Sequence, residues 1–178
     1  NCLFVAVKGK NKDGHNFVSD ALCKGASCCA ISKKLNKVPK KNIIKTNNTK
    51  EFLINFAKLK RKNTNAQIIA VTGSSGKTTF KNLLAFLLKN YGKTFYSPKS
   101  YNNSFGVPLS LSNLSLEDKY GVFEIGMSKK GEISTLSNLV RPNIGVITNV
   151  AEAHLENFKN INEIAEAKSE IIDHVTPG

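Results

Sequence analysis

The stretch Val71-Thr72-Gly73-Ser74-Ser75-Gly76-Lys77-Thr78-Thr79 follows an apolar run at 67–71 and precedes an amphipathic segment at 77–90. Bulky apolar residues recur in that segment at helical spacing and predict one apolar helix face, formed by Phe80, Leu83, Leu84, Leu87, Leu88 and Tyr91. A glycine-rich turn between a strand and a helix is typical of a phosphate-binding loop. Its glycines let backbone N–H groups approach phosphate, and the helix N-terminus favours negative charge. The stretch therefore predicts an α/β domain that binds the phosphates of ATP.

The side chains of this loop have separate expected roles. We expect Lys77 to reach the terminal phosphates of ATP and Thr78 to offer its hydroxyl to Mg²⁺. The predicted ATP-binding residues of the loop are Gly73, Ser74, Ser75, Gly76, Lys77, Thr78 and Thr79. The strict form of the loop has Gly or Ala at position 71, where this chain has Val71.

Strand and helix patterns alternate on both sides of the loop, as in a doubly wound parallel sheet. The predicted strands are 3–7, 28–32, 42–45, 67–71, 93–96, 120–124 and 143–148, and the predicted helices are 16–24, 50–60, 77–90, 104–113, 131–140 and 160–173. The run at 60–65 has no periodicity and is interpreted as a linker. The predicted fold class is α/β, with a small amino-terminal α/β domain at 1–62 and a P-loop mononucleotide-binding domain with a largely parallel sheet at 63–178. The start at Asn1 and the end on a helix predict a fragment, so that both domains are partial and the second is truncated.

Polar residues follow two of the predicted strands. Glu124 ends the strand at 120–124, and His154 lies just beyond the strand at 143–148. Ligands of open parallel sheets bind outside the carboxyl ends of the strands. A carboxylate and an imidazole near a phosphate loop therefore predict completion of the Mg²⁺ coordination, directly or through water.

Lys168 interrupts an otherwise apolar stripe on the helix predicted at 160–173. The stripe consists of Ile161, Ile164, Ala165, Ile171 and Ile172. A lysine at its centre must extend to solvent, shift its pKa or be modified.

The composition restricts the classes of partner. The 178 residues carry a formal net charge of +13, but the cations are scattered and nearly all are lysines. Only Arg61 and Arg141 could make bidentate phosphate contacts, so we expect an anionic small substrate and no nucleic acid. No window holds the roughly 18 apolar residues of a membrane span, and no leader pattern opens the chain. We therefore expect a cytoplasmic protein without membrane contact, and a monomer.

Several motifs in a fixed order together resemble the Mur ligase family. They are the loop at 71–79, Tyr-Asn-Asn-Ser-Phe-Gly-Val-Pro at 101–108, Phe-Glu-Ile-Gly at 123–126, Arg-Pro at 141–142, Thr-Asn-Val at 148–150 and Ala-His-Leu-Glu at 153–156. The resemblance covers essentially the whole chain. It implies ATP-dependent amide-bond formation through an acyl phosphate in peptidoglycan precursor synthesis.

The same resemblance implies roles for individual residues. Lys77 and Thr78 would hold ATP and Mg²⁺, and Glu124 and His154 would hold metal. Lys168 would be carbamylated and bind a second Mg²⁺, as fits its spacing from His154. Asn102 and Asn103 match an asparagine pair near the phosphates. The implied catalytic residues are Lys77, His154 and Lys168.

Within the family, the segments at 3–9, 13–17 and 153–156 are similar to the branch that adds D-alanyl-D-alanine to a UDP-N-acetylmuramoyl tripeptide. The family's early uridine-pocket segment, its adenine contacts and its amine-receiving domain have no counterpart in the 178 residues. A sister Mur ligase and folylpolyglutamate synthase are alternatives, although the segment at 13–17 argues against the latter. A basic, nucleotide-dependent RNA-binding protein is an alternative of another class, and it would need clustered arginines and exposed aromatic residues.

Overall fold

A computed structural model describes residues 2–9, 11–35, 38–152 and 156–176 of the chain. The chain divides into two compact units, Asn1–Asn55 and Phe56–Gly178. The division falls inside helix α2 (Thr49–Asn63). Within the described ranges, no helix is both long and apolar enough to cross a membrane.

The first unit contains a small parallel sheet. Strands β1 (Cys2–Val5), β2 (Ala26–Ile31) and β3 (Ile43–Lys45) pair in the order β1-β2-β3. Helix α1 (Val18–Cys23) connects β1 to β2 after a 3-10 turn at Gly14–Phe17. The core of the unit is apolar and consists of Ala6, Val18, Ala26, Cys29 and Ile31. This parallel βαβ arrangement confirms the α/β fold predicted for the amino-terminal part.

The second unit contains a four-stranded parallel sheet, whose order is β5-β6-β4-β7. Its strands are β4 (Gln67–Thr72), β5 (Thr94–Tyr96), β6 (Tyr120–Glu124) and β7 (Ile144–Ile147). Its helices are α3 (Lys77–Leu88), α4 (Gly106–Ser112), α5 (Glu132–Val140) and α6 (Ile161–Ser169), and a 3-10 turn at Glu170–Ile172 follows α6. The alternation of strands and helices confirms the predicted fold class.

The pairing register places the ends of three strands at one edge of this sheet. Val71 of β4 pairs with Glu124 of β6, and Thr72 of β4 pairs with Ile147 of β7. Because the strands are parallel, the residues that follow each of them meet at the same edge. The loop after β4 therefore lies beside Glu124 and Thr148.

Helix α2 is longer than predicted, and the linker expected at 60–65 is wrong for residues 60–63. The Arg61 side chain donates to the carbonyls of Val140 at 2.7 Å and Arg141 at 2.6 Å, which end helix α5. These contacts satisfy carbonyls that have no partner within their own helix. A tertiary contact, which sequence periodicity does not report, therefore stabilises this last turn of α2.

Helix α3 packs against the sheet with only part of the predicted apolar face. Ala85 is buried, and Leu84 and Leu88 pack beside it. Leu83 and Leu87 remain 57% and 48% exposed, although both belong to the predicted apolar face. The buried face runs through positions 81, 85 and 88. It includes Lys81, which is not part of the predicted apolar pattern.

Candidate nucleotide-binding site

The loop between β4 and α3 has a conformation that requires glycine. Gly73 has φ 149° and Gly76 has φ 74°, and residues with a Cβ rarely adopt such angles. A Cβ on Gly73 would lie 1.9 Å from Oγ1 of Thr148. The loop therefore packs too tightly against the end of β7 to accept any side chain at position 73.

The residues after β7 brace the loop. Oδ1 of Asn149 accepts hydrogen bonds from the backbone N–H groups of Ser74 at 3.1 Å and Ser75 at 2.9 Å. The hydroxyl of Thr148 donates to the Ser75 carbonyl at 2.7 Å. The Thr-Asn pair of the motif at 148–150 thus holds the shape of the loop.

Lys77 and Thr78 begin helix α3 at the mouth of the loop. Nζ of Lys77 donates to the Gly73 carbonyl at 2.7 Å, so its positive charge lies across the loop. The first N–H groups of α3 have no acceptor within the helix, and they add positive potential at the same place. This arrangement suits the binding of a polyphosphate.

Thr78 and Glu124 meet at the edge of the sheet. The Thr78 hydroxyl donates to Oε2 of Glu124 at 2.7 Å, and the amide of Asn102 donates to Oε1 at 2.8 Å. Glu124 is only 1% exposed. The half-buried Thr78 hydroxyl and the buried Glu124 carboxylate provide the oxygen ligands that Mg²⁺ prefers, so these residues fit a magnesium ion. Within the described ranges, no three His, Cys, Asp or Glu side chains come together as a metal cluster.

The two asparagines of the predicted pair have different contacts. Asn102 orients Glu124, whereas Oδ1 of Asn103 accepts from the N–H groups of Phe105 at 3.1 Å and Gly106 at 2.8 Å at the start of α4. Both asparagines line a cavity of about 400 Å³ together with Gly73, Lys77 and Lys168. The structure therefore brings the predicted loop, the asparagine pair and Lys168 to one cavity.

Lys168 lies on α6 and is 2% exposed. Of the three outcomes left open for this lysine, extension to bulk solvent is not the one found. Burial, together with the positive charge of Lys77, lowers the pKa of Lys168 to about 8. An amine with this pKa is partly uncharged at neutral pH, which makes it more nucleophilic than an ordinary lysine. His154, another predicted metal ligand, lies outside the described residues.

Sequence reasoning missed one charged residue of the site, Lys81. It is fully buried on α3, its Nζ donates to the Lys99 carbonyl, and it lies 3.6 Å from Oε2 of Glu124. Burial lowers the pKa of Lys81, and the charge of Glu124 acts in the opposite direction. Helical spacing could have identified Lys81 as a site residue, because position 81 is one helical turn beyond Lys77 and Thr78 and lies on the same face.

Known proteins are similar to the chain over most of its length. The family model described as the Mur ligase middle domain matches residues 71–178. UDP-N-acetylmuramoyl-tripeptide–D-alanyl-D-alanine ligase from Rickettsia prowazekii is 44% identical over 95% of the chain, and the match covers 37% of that protein. The enzyme of the same name from Escherichia coli is 38% identical over 96% of the chain and 37% of its own length.

Solved structures give the same result. The crystal structure of MurF from Acinetobacter baumannii has a TM-score of 0.84 at 34% identity, covering 98% of the chain and 38% of that structure. MurF from Thermotoga maritima in complex with ADP has a TM-score of 0.80 at 38% identity, covering 98% of the chain and 40% of that structure. The chain spans about two fifths of the length of these relatives.

Proposed function

The chain belongs to the Mur ligase family, and we propose that it is part of an ATP-dependent ligase of peptidoglycan precursor synthesis. The reaction would join D-alanyl-D-alanine to a UDP-N-acetylmuramoyl tripeptide, as the names of the relatives state for those enzymes. The observation that carries the proposal is the contact of Thr78 with Glu124 beside the loop at 73–78. This contact combines a phosphate loop with a magnesium-type oxygen pair, as phosphoryl transfer from ATP requires.

The residues of the loop would bind and orient ATP. The N–H groups at the start of α3 would face the phosphates, and the Lys77 ammonium would exchange the Gly73 carbonyl for a γ-phosphate oxygen. Thr78 and Glu124 would hold Mg²⁺, with His154 as a further predicted ligand. The ion, when bound, supplies positive charge that offsets the charge of the phosphates.

The reaction would proceed in two steps, with an acyl phosphate as the intermediate. A carboxylate oxygen of the tripeptide bonds to the γ-phosphorus while the bond to the β-phosphate oxygen breaks, and ADP leaves. The amine of D-alanyl-D-alanine then attacks the acyl carbon, loses a proton and displaces inorganic phosphate. The positive charge of Lys77 would stabilise the charge that develops on the transferred phosphoryl group.

Lys168 would act as a carbamate. Its lowered pKa leaves a fraction of the amine uncharged, and this form can react with CO₂ to give an anionic carbamate and a proton. The carbamate would replace a buried positive charge near Lys77 with oxygen ligands suited to a second Mg²⁺. This modification would turn an unfavourable pair of like charges into an attractive one.

The domain assignment belongs to the same proposal. Residues 1–62 would form part of the domain for the UDP-muramoyl substrate, and residues 63–178 part of the central ATP-binding domain. The whole enzyme would act as a cytoplasmic monomer, without nucleic acid or membrane as a partner. The contacts to adenine and to D-alanyl-D-alanine would come from other parts of the enzyme.

The test is ATP-dependent phosphate release by the full-length protein. Release should require both the muramoyl tripeptide and D-alanyl-D-alanine. Activity with a single amino acid in place of the dipeptide would favour a sister Mur ligase, and glutamate addition to a folate would favour folylpolyglutamate synthase. Binding of labelled RNA that persists at physiological salt, without ligase activity, would favour the RNA-binding alternative.

A further inference from the structure

Lys81 is a lysine whose side chain is fully buried. It lies in the second turn of α3, one turn beyond Lys77. Removing an ammonium group from water is costly unless nearby groups compensate for the lost hydration. The partners of Lys81 therefore indicate why a lysine occupies this position.

Two oxygens compensate for the burial of Lys81. Its Nζ donates to the carbonyl of Lys99 and lies 3.6 Å from Oε2 of Glu124. Lys99 has φ 47°, an angle that residues with a Cβ seldom adopt. Lys81 thus bridges the carboxylate of the proposed magnesium site and a constrained loop, and Asn102 of that loop contacts the same carboxylate.

The local charges disfavour a metal ion that arrives alone. Oε2 of Glu124, the oxygen beside Thr78, is also the oxygen that faces Lys81. Of the described residues that line the adjoining cavity, Lys77 is cationic, Glu132 is anionic, and Lys168 is cationic as long as it is protonated and not carbamylated. The negative charge of Glu124 is therefore already balanced, and a divalent cation needs additional negative charge to bind.

We propose that Lys81 is a positioning residue that balances Glu124 and makes divalent-cation binding depend on the phosphates of the nucleotide. The ammonium holds the carboxylate of Glu124 in line with Thr78 while the site holds no metal. It also repels a bare divalent cation, whereas a nucleotide brings the negative charge that offsets this repulsion. This inference rests on the proposed nucleotide site and adds an order of binding to it.

The experiment measures Mn²⁺ binding to the full-length protein by electron paramagnetic resonance, with and without ADP. Lys81→Gln removes the charge and keeps a hydrogen-bond donor for the Lys99 carbonyl. An ammonium about 5 Å from the ion weakens binding at least about tenfold even at the dielectric constant of water. Lys81→Gln should therefore bind Mn²⁺ without ADP at least about tenfold more tightly than the wild type, with a smaller gain when ADP is present. Lys89→Gln is the matched control, because Lys89 follows the same helix and is exposed over the ring of Tyr96.

Each outcome bears on one hypothesis. Folded Lys81→Gln protein that binds ADP but shows unchanged or weaker Mn²⁺ binding without ADP overturns the inference about Lys81. Wild-type protein that binds no ADP at any Mg²⁺ concentration overturns the proposed function instead. If Lys81→Gln melts too low to assay, adding Glu124→Gln should raise its melting temperature, because the pair then carries no charge. Failure of the double variant to recover would also refute the charge balance.

Discussion

Replacement of Gly73 by alanine tests whether the end of β7 sets the shape of the phosphate loop. A φ of 149° costs a residue with a Cβ about 1–3 kcal/mol. The new Cβ would also lie 1.9 Å from Oγ1 of Thr148, and overpacking of this kind costs about 1–3 kcal/mol more. We therefore expect Gly73→Ala to lower the free energy of unfolding of the second unit by about 2–6 kcal/mol.

Gly131→Ala is the matched control for this substitution. Gly131 has φ 85°, but a Cβ there would meet no atom within 4 Å. Its cost should be backbone strain alone, about 1–2 kcal/mol. In a chain of this size, 1 kcal/mol shifts the melting temperature by about 2–4 °C. Calorimetry should therefore find Gly73→Ala about 2–12 °C below Gly131→Ala, and only Gly73→Ala should weaken ADP binding.

The contact with Thr148 makes the reasoning refutable. Thr148→Ala removes Oγ1, so the Gly73→Ala/Thr148→Ala protein should regain part of the stability that Gly73→Ala loses. Equal melting temperatures for the two glycine variants would show that backbone strain alone decides the cost. Unchanged ADP affinity in folded Gly73→Ala protein would remove the link between this contact and the nucleotide site.

Four further predictions concern three single substitutions and the isolated 178-residue chain. In the full-length protein, Lys77→Ala should reduce phosphate release at least about a hundredfold without unfolding the protein, because it removes charge stabilisation at the phosphates; wild-type turnover would contradict this. The 178 residues alone should bind Mg²⁺-nucleotide weakly and show no ligase activity, which phosphate release dependent on both substrates would disprove. The folded-state pKa of Lys168 is about 8, below the unfolded value of 10.5, so the folded state loses this proton first as pH rises. Between pH 8 and pH 10.5 the free energy of unfolding of the wild type should therefore increase relative to that of Lys168→Met. Carbamylation of Lys168, detected by ¹³C NMR with labelled bicarbonate, should also increase with pH. Equal dependence of the unfolding free energy on pH in the two proteins would refute the lowered pKa of Lys168. Arg61→Ala should lower the free energy of unfolding by about 1.5–3 kcal/mol, because it leaves the last carbonyls of α5 without their side-chain donor. Denaturant titration measures this loss, and Lys62→Ala should have little effect in the same experiment.

The elements flanking the phosphate loop could be predicted because local pattern and tertiary structure agree there. An apolar run, a glycine turn and a periodic helix predict β4, the loop and α3, and the structure has all three. The edge of the sheet was also predictable, since parallel strands bring Glu124 beside the loop whatever lies between them in sequence. Topology thus placed Thr78 and Glu124 near each other before any contact was known.

The remaining features depend on contacts that no local pattern carries. The buried face of α3 includes Lys81, which lies 3.6 Å from the carboxylate of Glu124, and leaves Leu83 exposed. The last turn of α2 depends on carbonyls about eighty positions later in the chain, which Arg61 reaches. Burial of a lysine beside a glutamate from another element is likewise visible only in three dimensions.

Helix α3 carries an exposed apolar surface, which has a consequence for the chain in concentrated solution. Phe86 is 68% exposed and Leu83 57%, so two molecules can associate through these faces. The formal net charge of +13 opposes such encounters by Coulomb repulsion. The Debye length falls from about 30 Å at 0.01 M salt to about 3 Å at 1 M, which cancels that repulsion and leaves the attraction between apolar faces. We therefore expect colloidal stability to be greatest in dilute buffer, and salt, which releases a nucleic-acid binder from its ligand, to favour self-association of this chain.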